Sequence, residues 1–187
     1  MSIFSNRFSA AKQEAGDYTL AILGLLGDQD PLAVLANSPG ELTKLIAGLS
    51  AAELAQPEAP GKWSMLQVLR HLAHSELIWG YRVRRILADD RPAIEGYDQD
   101  AWAGRLHYER ADLAETLAEI KALRTGNLRL IRSLDAAQRQ RVGVHSERGE
   151  ESIEHLIRMY AGHDILHQRQ LARIRDAVKQ GVVSRTE

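Results

Sequence analysis

Two of the chain's seven histidines, His163 and His167, stand four residues apart in "AGHDILHQRQLARI". At ~100° per residue, helical positions four apart lie about 40° from each other. The two imidazoles therefore point the same way, one turn apart, and two ring nitrogens so placed can meet one divalent ion. On a wheel of residues 152–178 both fall on the arc of Ile153, Leu156, Tyr160, Leu171, Ile174 and Val178, which faces inward. A pair of hydrogen-bonded core histidines would give the same pattern, so this spacing alone leaves both readings open.

Two histidines rarely hold a metal by themselves, and a third ligand has to come from another helix. "RHLAHSE" offers His71, His74 and Glu76. Glu76 falls near the middle of its helix's apolar face, where a carboxylate needs a cation, a hydrogen-bond donor or a metal; a salt bridge with an arginine is the plainer reading. His71 and His74 lie toward the flanks of that face, and periodicity does not choose between them. His155 sits off the inward arc, at a rim or solvated position. His107 and His145 fall in loops and read as surface histidines. Asp164 points away from His163 and suits a cap or an arginine partner. Ser146 and Glu147 read as a solvated loop, and Tyr160 and Trp79 as core aromatics.

The elements that must position these side chains are helical almost throughout. Ala, Leu, Arg, Glu and Gln dominate, and β-branched clusters and strict alternation are scarce. A first helical stretch runs over about 6–27. Pro31 and Pro39 suit early positions in a helix rather than its interior. An amphipathic segment over about 40–49 stops near Gly48 and Ser50, and a short turn follows at "SAAELAQ". Ser64 is a good N-cap for the long run beginning at Met65. "RPAIEGYDQDAWAGRLHYER" is the longest irregular stretch, with a turn of helix around Trp102, and a loop that long in a compact bundle often covers a pocket. A helix from Ala111 to about Leu134, the polar loop "GVHSERGEES" and a last helix over about 152–179 complete the chain. Four long helices with apolar faces most readily bury them as an antiparallel bundle.

Composition narrows the chemistry. The 187 residues are 44% hydrophobic and 26% charged, with a formal net charge of −1. No Lys/Arg block marks a nucleic-acid groove or an anionic membrane surface as a partner. The absence of cysteine excludes disulfides, zinc-thiolate sites and a cysteine nucleophile, so a metal would sit among His, Asp, Glu and water. The first twenty residues lack a signal-peptide pattern and no apolar run approaches the ~18 residues of a membrane span; a cytoplasmic location is the expectation.

Taken together, "APGKWSMLQVLRHLAHSE" and "MYAGHDILHQRQL" resemble the DinB/YfiT-like superfamily in order and spacing, over about residues 30–178. The resemblance implies an all-α, four-helix bundle of up-down-down-up topology, here with an N-terminal helical extension over 1–29, the bundle over 30–180 and a tail over 181–187. It implies homodimers in many members and one divalent ion on three histidines. Carried over, those ligands are His71, His163 and His167, with zinc or nickel foremost as the metal, and His74 and Glu76 become groups that could orient a ligand or a bound water. Three imidazoles would leave a position open for water or for the thiol of a low-molecular-weight cofactor. The resemblance thus implies a thiol-dependent S-transferase or a hydrolase acting on a small-molecule electrophile. The alternative is a non-catalytic metal-binding or stress-response bundle.

Overall fold

The computed structural model describes residues 12–181. Each long helix begins where a short polar side chain caps it. Asp30 accepts from the Leu32 N–H at the start of α2 (Pro31–Ile46), whose first residue is a proline. Ser64 and Gln67 form a reciprocal capping box on α4 (Met65–Ala88). Asp112 caps α6 (Leu113–Arg132) and Ser152 caps α8 (Ile153–Lys179). Between them lie α3 (Ala51–Ala55), α5 (Gln99–Arg105) and α7 (Ala136–Arg139), and α1 (Lys12–Leu26) precedes the bundle. Part of the expected extension, residues 1–11, and the tail residues 182–187 lie outside the described residues.

The directions of the four long helices follow from their cross-links. Along α4 and α6, Arg70 pairs with Glu119, Glu76 with Arg124 and Arg84 with Asn127, so both run the same way. Along α2 and α8, Ser38 meets Gln168 and the Lys44 carbonyl meets Arg175, so these are also parallel. Across α4 and α8 the order inverts, with His71 against His167 and Trp79 against Tyr160. The topology is therefore up-down-down-up. The parallel step from α4 to α6 needs a long return, and this is what the irregular stretch over 91–110 supplies.

Two apolar clusters fill the bundle. One contains Leu42, Trp63, Met65, Leu69, Leu171 and Ile174, and the other Leu35, Trp79, Ile86, Ile131, Leu156 and Ile157. Between them sits a polar layer of buried His74, Ser75, Glu76, Arg124, Asn127, Asp164, His167 and Gln170.

Two sequence expectations are corrected. "GVHSERGEES" is not a plain polar loop: β2 (Val142–His145) and β3 (Gly149–Ser152) form an antiparallel hairpin, and β1 (Ala93–Ile94) adds to β2 in parallel. The three-residue connection closes because Gly149 takes φ +81°, open to glycine at little cost. Pro39 lies inside α2 rather than near a helix start. A proline there cannot donate to the carbonyl four residues back, and that carbonyl, Leu35 O, instead accepts from Arg124 Nη1 at 2.7 Å.

Helix α1 lies against α8 where Gly162 offers bare backbone: a Cβ there would fall on the Ile22 carbonyl oxygen. Ile22 and Leu26 are buried by this contact. Among the described residues no single helix is long and apolar enough to cross a membrane.

Candidate metal centre

His71 on α4 and His163 and His167 on α8 meet in the polar layer, edge to edge. Nε2 of His163 lies 3.1 Å from Nε2 of His167 and 3.3 Å from Nε2 of His71. One ligand atom from each lies within 4.8 Å of the other two, and this is the one such group of three among the described residues. A single ring nitrogen holds one proton or one lone pair, so the His163 Nε2 cannot be matched to both neighbours by hydrogen bonds at once. A metal at the ~2.0–2.1 Å Zn–N distance, with tetrahedral angles, places its nitrogens roughly 3.3 Å apart. The observed spacing fits such an ion, with a lone pair taken from each ring.

The protonation states suit the same use. Burial drives the His71 and His163 pKa values well below the usual imidazole range, helped by the neighbouring His167 in both cases. Burial lowers His167 to about 4 against the opposing pull of Gln170 and Asp164. At neutral pH all three rings are neutral and have lone pairs to give. Gln170 Oε1 lies 2.7 Å from His167 Nδ1 and accepts its proton, which leaves the Nε2 lone pair facing the other two rings. The Ser75 hydroxyl stands 3.3 Å from His71 Nε2 and 3.3 Å from the Tyr97 hydroxyl. The Nδ1 atoms of His71 and His163 are buried without a hydrogen-bond partner among the described residues.

The other singled-out residues fall elsewhere in the layer. His74 Nδ1 bonds the Tyr108 hydroxyl at 2.7 Å, and its ring packs edge-on against Trp102. Glu76 accepts from Arg124 Nε and Asn127 Nδ2, both at 2.8 Å. Neither forms a hydrogen bond to the three rings; Gln170 and Ser75 do, and neither carries a local sequence signature for that role. Arg124 also donates to both oxygens of Asp164, so this arginine joins three helices. Burial alone would lower the Arg124 pKa, but Asp164 and Glu76 hold it above its ordinary value. His155 is at the rim near Glu151, and His107 is exposed beside Glu109.

His145 is the residue the sequence misplaced. It is 2% exposed rather than a surface histidine, because the alternation of β2 turns it inward. It lines a cavity of about 70 Å³ that begins at His71 and His163 and includes Ser75, Arg82, Tyr97, Arg148 and Tyr160. That volume holds a handful of waters or a small polar group. Trp79 is fully buried and stacks on Tyr160 at 4.8 Å, a packing role for one and a wall for the other. Ser146 is exposed, as expected, and accepts from the Gly96 N–H at 3.3 Å.

Comparison with known proteins identifies relatives of this chain. The model of the DinB superfamily matches residues 35–171. A Bacillus subtilis (strain 168) protein named "putative metal-dependent hydrolase YfiT" is 29% identical over 137 residues, covering 73% of this chain and 77% of its own. A Bacillus cereus (strain 03BB102) protein named "putative metal-dependent hydrolase" is 28% identical over 137 residues, covering 73% and 79%. The solved structure of YfiT from Bacillus subtilis, described as a "probable metal-dependent hydrolase with an unusual four-helix bundle topology", superposes with a TM-score of 0.72 at 24% identity, over 95% of this chain and 93% of that one. This last likeness bears on the fold.

Proposed function

This chain belongs to the DinB superfamily, and from that premise we propose that it is a metal-dependent hydrolase of a small molecule. In this reading His71, His163 and His167 hold one divalent ion through their Nε2 atoms. The observation that carries it is the convergence of three neutral, inward-facing Nε2 atoms at 3.1 and 3.3 Å, two of whose rings, His71 and His163, line a cavity. Among the described residues no carboxylate joins this group, so no fourth protein ligand closes the site; structural zinc sites are closed, and catalytic ones keep a position open. Zinc and nickel both suit an all-imidazole donor set.

When bound, the ion supplies Lewis acidity and an open coordination position. The chain's own residues do the rest. Gln170 fixes the His167 ring, the Ser75 and Tyr97 hydroxyls stand at the edge of the cavity to hold polar substrate atoms, and the apolar clusters at both ends keep bulk water out of the bundle.

The test is elemental analysis of untagged chain purified without chelator, beside the triple variant H71A/H163A/H167A. About one divalent ion per chain, lost in the variant, is expected; stoichiometric metal retained by the variant overturns the ligand set. The loaded chain is then assayed on a panel of small activated esters and amides. Consumption of an added low-molecular-weight thiol with an electrophile, without hydrolysis, would replace the hydrolase reading by a thiol S-transferase at the same centre. Metal with neither reaction would leave a non-catalytic metal-binding bundle.

A further inference from the structure

Arg82 is 6% exposed and, among the described residues, makes one hydrogen bond, from Nη2 to the backbone carbonyl of Glu95 at 2.7 Å. Among the described residues it forms no ion pair. The other buried arginines are neutralised: Arg124 by Glu76 and Asp164, and Arg148 by Glu151 through bonds of 2.6 and 2.9 Å. A buried guanidinium without a carboxylate is costly, and such charges are ordinarily paired. Arg82 lines the cavity that begins at the histidines.

His145 lines the same cavity and carries a second unmet group. Its Nδ1 accepts the Glu147 N–H at 3.2 Å, so the proton of the neutral ring resides on Nε2. Nε2 is buried and has no partner among the described residues. Burial, with Arg148 and Arg82 nearby, lowers the ring's pKa to about 3, so it stays a neutral donor. Tyr160 is likewise held protonated by burial. The carboxylate of Glu151 is engaged by Arg148, which leaves Arg82 as the uncompensated charge of the wall.

We propose that Arg82 and His145 form an oxyanion subsite for a carboxylate or phosphate group of the substrate. The guanidinium fork has unused donors for two anionic oxygens, and the His145 Nε2–H adds a neutral one. On α4, His71 and Arg82 are eleven residues apart, close to three full turns, so they lie on one stripe of the helix separated by about 16 Å of rise. Both side chains line the same cavity. The anionic group is therefore distinct from the group presented to the histidines, and the substrate is a short molecule with an oxyanion at one end. This rests on the proposed function for what happens at the histidines, but the subsite binds anions whether or not metal is present.

The test is calorimetric titration of sodium acetate, and separately of inorganic phosphate, into chelator-treated chain and into metal-loaded chain, at fixed ionic strength with chloride as control. Saturable binding in both forms is expected, weakened at least about tenfold in R82M and in H145L, and partly restored in R82K and in H145Q, which keep a cation and a donor. Preference for acetate assigns the substrate group as a carboxylate, and preference for phosphate assigns a phosphate ester. Binding seen only in the loaded chain, or unchanged in folded R82M and H145L, overturns the subsite. If R82M does not fold, H145L decides, and unchanged binding there overturns the subsite. Metal content is read on the same samples. Absent metal with Arg82-dependent anion binding sinks the hydrolase reading and leaves the subsite standing, and stoichiometric metal without such binding does the reverse.

Discussion

Gln170 Oε1 lies 2.7 Å from His167 Nδ1, one turn away on the same helix, and Gln170 is itself 7% exposed. The bond fixes which nitrogen of His167 carries the proton and which way its ring faces. The i,i+3 spacing makes this support independent of how α4 and α8 pack, so it survives small shifts of the bundle.

Replacing Gln170 by Leu should therefore weaken metal binding by about 10–100-fold without removing a ligand. Competition against a chromophoric chelator would measure this. Q170E, which still accepts from Nδ1, should bind metal close to normally. Equal affinity in wild type and Q170L would show that the ring is held by packing alone.

Arg124 is the second support, and its loss should be felt as stability. It joins Glu76 on α4, Asp164 on α8 and the Leu35 carbonyl that Pro39 leaves free on α2. R124M strands two buried carboxylates and should cost about 3–5 kcal/mol in urea unfolding. Neutralising them as well, in R124M/E76Q/D164N, should recover most of that. A single variant within about 1 kcal/mol of wild type would mean water already reaches the carboxylates.

Helices α4, α6 and α8 were legible from apolar periodicity, and α4 also from its Ser64 cap, whereas α2 (Pro31–Ile46) begins about nine residues before the segment expected over 40–49. The pair His163 and His167 was legible for the same reason, since a helix fixes the relation of residues four apart. His71 against His74 was not, because both flank one face and only the approach of α8 separates them. The sheet escaped notice because β1 has two residues and Gly143 interrupts the alternation of β2; the signal available was Gly149 after a three-residue connection. Pro39 misled because the carbonyl it leaves free, Leu35 O, is satisfied by Arg124, 89 positions further along the chain than Leu35. Gln170, Ser75 and Arg82 carry no local signature. Their roles exist only once α4, α8 and the hairpin are assembled.

Gly162 precedes His163 and lets α1 approach α8 at backbone distance. Because the obstruction is the Ile22 carbonyl rather than a movable side chain, G162A should displace α1 and cost about 1–3 kcal/mol. Tyr18 of α1 lines the cavity, so the displacement should also open that wall. Hydrogen exchange should show faster exchange in α1 with α4 and α6 unchanged. Uniform loss of protection across all helices would instead indicate that α1 is integral to the cooperative unit.

The histidines also set how the metal-free chain responds to acid. His71, His145, His163 and His167 all have folded pKa values below the usual 6.5, with burial the first cause in each, His145 at about 3 and His167 at about 4. Below pH 6.5 the unfolded chain binds protons that the folded chain refuses, so stability falls as pH drops, by up to about 1.4 kcal/mol per unit for each ring. Their contribution is complete above pH 6.5 and is lost progressively as pH falls through the folded values, about 4 for His167 and about 3 for His145. Between pH 7.5 and 5, above the range where most carboxylates titrate, Tm of the chelator-treated chain should fall by on the order of 10 °C. H145Q removes one of the four contributions and should reduce that fall by roughly a quarter. A Tm that stays level over this range would mean the rings gain protons without unfolding, as solvated histidines do.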